Sequence, residues 1–276
     1  MHPLLQTLTL VTVFFGVTTA PLEAAWYTKE FSAQVKWTIP TPTEPEKIEG
    51  HVYVGDKRLR IENTTKGHTS ALIFLVQEKK AWTLDLAAKN YHDGVARMAM
   101  LPKPDTDILP SDPDSPCANK EKRVTCAKTG SGTLDGVATE EWTITIDQDQ
   151  QKGEIKLSID PARHLVLKQQ PDVGPVRTRT FLGDMEHQGR PTEKWMVNEE
   201  FQGQSTVLEQ WVDKELRLIV RESGQAGDVL LDVSAIKIAP QPDSLFKIPD
   251  GFKLTQPVMD PHPPGGPIPG GAGQRQ

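Results

Sequence analysis

The sequence predicts a mainly β fold, an antiparallel meander, on three observations. Apolar and polar residues alternate with period two through most of the chain, and turn residues interrupt the runs at short intervals. In addition, a motif built around a tryptophan returns 53 positions later.

The alternation is plainest where Trp142, Ile144 and Ile146 interleave with Thr143, Thr145 and Asp147, and where Ile155, Leu157 and Ile159 interleave with Lys156 and Ser158. Those are half-buried strands. Similar runs lie at His51 to Val54, Leu59 to Glu62, Ala71 to Val76, Ala81 to Leu86, Leu165 to Lys168, Val207 to Val212, Leu216 to Arg221 and Val229 to Ile238. Gly55-Asp56, Gln151-Lys152-Gly153, Asp160-Pro161 and Gly224 to Gly227 supply turns between them. Short helical turns are expected near Thr28 to Ala33, around Val95 to Met100 and at Asp243-Ser244-Leu245-Phe246. The repeat pairs Gly136-Val137-Ala138-Thr139-Glu140-Glu141-Trp142 with Gly189-Arg190-Pro191-Thr192-Glu193-Lys194-Trp195. It continues without a gap to Asp160/Asp213, Leu165/Leu218 and Lys168/Arg221. It reads as one supersecondary unit laid down twice in a sheet, in which glycine makes the turn and tryptophan packs the core. Ligand roles for Thr139, Glu140, Thr192 and Glu193 are the weaker reading.

At 276 residues the chain is long enough for a real core, but 37% hydrophobic content with 23 Pro and 21 Gly argues against long buried helices. The net charge of -6 is spread in both signs, so no basic field exists to hold nucleic acid. Leu4 to Val17 is an apolar and threonine run followed by small residues, the shape of a secretory signal over residues 1–25. No later stretch reaches the roughly 18 apolar residues of a membrane helix. The mature chain is therefore expected outside the cytoplasm, periplasmic or secreted, where Cys117 and Cys126 most simply form a disulfide. A redox or metal role is poorly supported, since the spacing is not Cys-x-x-Cys and no further ligands adjoin.

Two segments read as unpacked. Residues 102–116 hold five prolines with acids at Asp105, Asp107, Asp112 and Asp114, a Pro-rich insert serving as linker or flap. Residues 257–276 hold six Pro and five Gly and are expected to be a disordered tail.

Catalytic signatures are absent. There is no Gly-x-Ser-x-Gly elbow, and Ser131 sits in a Gly130-Ser131-Gly132 turn. No His-Glu-x-x-His occurs, and no glycine-rich phosphate loop follows a strand. Asp147 and Asp149 resemble the start of a calcium loop, but Lys152 stands where glycine is needed, so a hairpin tip is expected there. No enzyme activity, cofactor or metal is called for. The tryptophans could instead fill a closed sandwich or line an open cavity.

Several stretches add a resemblance: Phe31-Ser32-Ala33, Gly50 to Lys57 with Arg60 and Glu62, Lys80-Ala81-Trp82-Thr83-Leu84-Asp85, and the closing Asp243 to Phe252. In these the chain resembles the periplasmic lipoprotein carrier family, the LolA/LolB-like superfamily, in an exported branch, across residues 26–256. The resemblance implies a curved antiparallel sheet forming an incomplete, half-open β-barrel with a few short helices as a lid. Its cavity would hold a lipid or lipoprotein acyl chain, without covalent chemistry. On that reading Phe74, Trp82, Leu84, Trp142, Ile144, Trp195, Val197 and Trp211 line the cavity, and Phe246 and Phe252 anchor its closing edge. The alternative is an envelope scaffold with a filled barrel that binds a protein partner through a sheet edge or the tail. The chain departs from the carriers after Tyr53, where Lys57-Arg58-Leu59-Arg60-Ile61-Glu62 lacks the aromatics of the lid latch.

Overall fold

The computed structural model describes residues 26–41, 44–94, 104–105, 107–113, 115–118, 123–148 and 151–255. The signal sequence, the helical turn expected around Val95 to Met100 and the Pro/Gly-rich tail lie outside these residues.

The strands fall into four groups along the chain. The first comprises β1 (Phe31–Ile39), β2 (Glu46–Gly55), β3 (Arg58–Thr65), β4 (His68–Leu75), β5 (Lys80–Asp85) and β6 (Asn90–Asp93). After the Pro-rich insert come β7 (Val124–Leu134), β8 (Val137–Gln148), β9 (Gln151–Asp160) and β10 (Leu165–Pro171). Next are β11 (Val176–His187), β12 (Arg190–Phe201), β13 (Gln204–Asp213) and β14 (Leu218–Gly224). Last are β15 (Val229–Ile238), a 3-10 helix at Asp243–Phe246 and the short β16 (Lys253–Leu254).

These strands make one curved sheet in the order β16-β6-β5-β4-β3-β2-β1-β15-β14-β13-β12-β11-β10-β9-β8-β7, and the last strand does not meet the first. The fold is the half-open barrel that the sequence predicts. It is antiparallel except where β16 runs parallel to β6.

Of the two expected helical turns that fall on described residues, the one at Asp243–Phe246 is helical. Thr28 to Ala33 runs instead into β1, because Phe31, Ala33, Val35 and Trp37 are all buried on one face and period two wins over local propensity. Gly130-Ser131-Gly132 is not a turn either. It lies inside β7, after a bulge between Lys128 and Gly130, where pairing to β8 overrides the glycine-rich composition.

The repeat is present in full. Val124↔Ile146 in β7–β8 becomes Arg177↔Glu199 in β11–β12, and Lys128↔Trp142 becomes Phe181↔Trp195, each partner 53 positions on. The Lys128/Gly130 bulge returns at Phe181/Gly183. Leu165↔Asp160 likewise becomes Leu218↔Asp213. Asp160 and Asp213, 1% and 0% exposed, each accept two backbone N–H groups of the following turn. The repeat therefore preserves register, bulge and turn cap.

Paired residues share a face, so the row Phe181–Trp195–Gln210–Glu222–Leu231–Trp37–Ile48 defines an inner face across β11 to β2. Trp26 to Glu30 crosses this side: the Trp26 indole donates to the Gly55 carbonyl and the Thr28 hydroxyl to that of Leu216. Burial pushes the Tyr27 phenol pKa well up. Gly50 is required by close approach, since a Cβ there would strike the Glu62 carbonyl and lie 3.0 Å from the Trp37 ring. The reverse face of β2 to β6 is covered by the 3-10 helix, whose Phe246 is 2% exposed and lies beneath the Arg58 guanidinium at 4.6 Å. Arg58 also donates to Asp243 and holds that carboxyl below its ordinary range.

Candidate functional site

The register divides the predicted lining residues between two faces. Phe74, Trp142, Ile144, Trp195 and Val197 stand on the inner face. Trp82 and Leu84 continue the Tyr53–Arg60–Ile73 row on the reverse face and pack with Phe246 and Phe252. Trp211, paired with Lys194 and Arg221, is also on the reverse side, with those two cations 4.8 and 5.3 Å from its ring centre. Both faces of this sheet are covered, so alternation alone did not distinguish inside from outside. Phe246 and Phe252 pack on that reverse face with Ala71, Ile73 and Leu84.

The inner-face residues do not share one hollow. Phe74 belongs to a cluster with Phe31 and Leu59, Trp195 to one with Leu165 and Val212, and Trp142 and Ile144 to a third around Leu157 and Ile159. A hollow of about 170 Å³ lies between the β11–β12 hairpin tip and Val220, Val233 and Ile236. It is lined by none of the predicted residues and is smaller than the roughly 300 Å³ from which ligand pockets begin.

The repeat shows which tryptophan is open. Trp195 is 1% exposed, with Phe181, Arg179 and Arg163 around its ring at 5.2, 5.1 and 5.9 Å. At the equivalent positions the first copy has Lys128 for Phe181 and Cys126 for Arg179. Trp142 thus loses the aromatic and guanidinium cover and is only half-buried. Its indole donates to Glu140, as that of Trp195 donates to Glu193. Glu140 also accepts from Lys128, and that bond, ahead of the indole's, lowers its pKa.

Trp142, Ile144 and the facing Ile155 and Leu157 form an apolar floor on β8 and β9, and half-buried Val124 and Ile146 extend it along the strands. Leu109, 4% exposed, packs onto this floor from the Pro-rich insert. The insert is therefore not an unpacked linker in its described part. Its prolines bar it from the sheet, apart from an isolated bridge between Pro104 and Leu218, yet it crosses the inner face as a strap from β14 to β7.

Both ends of the strap are fastened. At the entry, the Asp105 N–H donates to the Arg217 carbonyl at 2.7 Å, and its carboxylate accepts from the Arg179 and Arg217 guanidiniums. The Asp105 and Arg179 side chains are 4% and 3% exposed, and Arg217 is shared with Glu193 at 2.9 Å. Asp107 accepts the Val166 N–H at 2.8 Å, where the β10 bulge has freed it. In the middle, Asp112 accepts the Leu109 N–H and lies 3.1 Å from His164 Nε2. At the exit, Cys117 and Cys126 form the expected disulfide, with Cα atoms 5.5 Å apart.

Leu109 and Arg179 were missed by the sequence reading, which named Asp105 only among the acids of the Pro-rich insert. The one signal for them is that Ile108-Leu109 is an apolar pair inside an otherwise proline-rich and acidic run. Among the described residues no group of three or more His, Cys, Asp or Glu is placed to hold a metal, and no helix is long and apolar enough to cross a membrane.

No protein-family model matches the chain, and no curated protein matches it. Among solved structures, an uncharacterized conserved protein from Thermus thermophilus covers 83% of this chain and 90% of its own, at 12% identity and a TM-score of 0.36. A DUF1329 family protein from Desulfovibrio piger covers 82% and 91%, at 12% identity and a TM-score of 0.37. An outer membrane lipoprotein-sorting protein domain from Vibrio parahaemolyticus covers 79% and 89%, at 11% identity and a TM-score of 0.34. The structural neighbours thus include a lipoprotein-sorting protein domain.

Proposed function

We propose that this chain is an exported, non-catalytic binder of a single apolar chain, a lipid or lipoprotein acyl group, held on the floor formed by Trp142, Ile144, Ile155 and Leu157. The observation that carries the reading is Leu109: one aliphatic side chain from outside the sheet is buried on that floor while polar and covalent ties hold the strap at either end. The middle of the strap is held by the Asp112–His164 contact, whose His164 side chain is 55% exposed; when that tie opens the middle bows outward, and an acyl chain then takes the place of Leu109.

The energies allow this exchange. Burying a leucine side chain contributes about 1.5–3 kcal/mol, and each acyl CH₂ moved from water contributes about 0.8 kcal/mol. About four methylenes on the floor offset the loss of Leu109, and each further one favours the bound state. The disulfide fits an oxidising compartment outside the cytoplasm.

Native mass spectrometry of chain purified from the periplasm is expected to reveal a lipid-sized added mass. Titration with a fluorescent fatty-acyl probe should change tryptophan emission in the wild type and leave that of Trp142→Phe largely unmoved. Bare protein together with a flat emission response would overturn the carrier reading and leave the filled scaffold.

A further inference from the structure

The repeat also bears on the outer edge of β7. As the first strand of its unit, β7 corresponds to β11, and the outer edge of β11 is occupied by β10 at Thr178↔Lys168 and Arg177↔Gln169. A third such strand, β15, follows the second unit, and its edge is occupied by β14 at Asp232↔Arg221 and Leu231↔Glu222. The positions of β7 that correspond to Arg177 and Thr178 are Val124 and Thr125, and among the described residues nothing pairs with them on that side.

This edge is weakly defended. β7 runs for 11 residues without proline, and its one charged side chain, Lys128, is held by Glu140 at 2.8 Å. The sheet's opposite end closes instead on the two-residue β16. The disulfide leaves the backbone of the edge accessible, because Cys126 shares its row with Ile144 and so projects from the inner face. The Arg123 carbonyl accepts the Asp147 N–H and is engaged toward β8.

We infer that the outer edge of β7 accepts an extended segment of another protein as an added antiparallel strand, centred on Val124 and Thr125. The two occupied equivalents define the chemistry of that segment. Both carry three successive apolar residues followed by three polar ones: Leu165-Val166-Leu167 then Lys168-Gln169-Gln170 in β10, and Leu218-Ile219-Val220 then Arg221-Glu222-Ser223 in β14. A second copy of this chain does not offer such a strand, since its own β10 and β14 are paired on both sides. Main-chain hydrogen bonds would supply affinity and the apolar triplet specificity. The inference is independent of whether the floor binds an acyl chain.

The chain's own β10 sequence is the probe. A labelled synthetic peptide spanning Leu165 to Pro171, added to the full-length protein, is expected to bind saturably by fluorescence anisotropy. Hydrogen exchange should then slow at amides within 124–128. The same peptide N-methylated at alternate residues should lose at least tenfold in affinity, and Val124→Pro in the protein, whose N–H alternates with those of Arg123 and Thr125 and faces the outer edge, should weaken the unmodified peptide comparably. Three results would overturn the inference: no saturable binding, protection elsewhere than β7, or a peptide-free dimer protected at β7, which would make the edge a self-interface.

Discussion

Replacing Asp105 by alanine is the sharpest test of how the strap is held. Its carboxylate is 4% exposed and is the closest anion to Arg179, itself 3% exposed, whose next acidic neighbour is Asp107 at 3.7 Å. Arg217 keeps Glu193, so the group left with only the longer Asp107 contact is Arg179, whose Nε already lacks an acceptor. Removing one member of a buried pair costs about 3–5 kcal/mol, because the other charge is left desolvated without compensation. If the strap unfolds together with the sheet, a domain of this size loses about 2–4 °C of Tm per kcal/mol, so a fall of about 6–20 °C is expected. If the strap detaches first, Arg179 regains water and the loss appears as faster exchange and proteolysis within residues 104–118 at a nearly unchanged Tm. Asp105→Asn, which keeps an acceptor, should lose less. The double substitution Asp105→Ala with Arg179→Met should recover stability, because no buried charge is left. A variant of Asp105→Ala that melts with the wild type and shows unaltered exchange across the strap would refute the assignment of this network as its fastening. Loosening the strap also removes a competitor for the floor, so the same variant should bind the acyl probe more tightly.

Other expectations follow from the same geometry. Trp195→Ala should cost about 3–5 kcal/mol in chemical denaturation, whereas Trp142→Ala, half-buried at the equivalent position, should cost clearly less and act mainly on probe binding. Opening the disulfide by Cys117→Ser with Cys126→Ser, at a separation of 9, should cost about 2.7 kcal/mol in the loop-entropy model, read as a lower urea midpoint than that of the oxidised wild type. The raised pKa of Tyr27 comes from burial, so the folded state favours the neutral phenol. Its stabilising effect is complete below the unfolded tyrosine value near 10 and is lost as pH rises above it. Tyr27→Phe should therefore blunt alkaline unfolding followed by circular dichroism, and an unchanged alkaline midpoint would contradict the burial argument.

Much of this architecture was legible because it is written in local periodicity. Alternation in Trp142–Ile146 and Ile155–Ile159 places β8 and β9, and the 53-residue echo correctly anticipates a unit used twice, down to the turn acids Asp160 and Asp213. Glycine-rich β7 was not legible, since nothing in Thr129-Gly130-Ser131-Gly132 favours a strand until β8 pairs with it. Trp82, Leu84 and Trp211 stand at the parity opposite to the inner-face row, which was not legible for a related reason. A strand buried on both faces offers two equally apolar parities, and only the neighbours' register selects between them.

The sequence by itself determined the strand-rich class, the duplicated unit, the closing 3-10 turn and the cysteine pair, all of which depend on residues close together in the chain. Only the tertiary structure decided that Leu109 sits on the Trp142 floor, that Asp105 meets Arg179 from 74 positions away, and that Trp142 is half-buried where its twin Trp195 is covered. Those contacts join distant segments across a curved surface, and their energies depend on burial and register that no local pattern encodes.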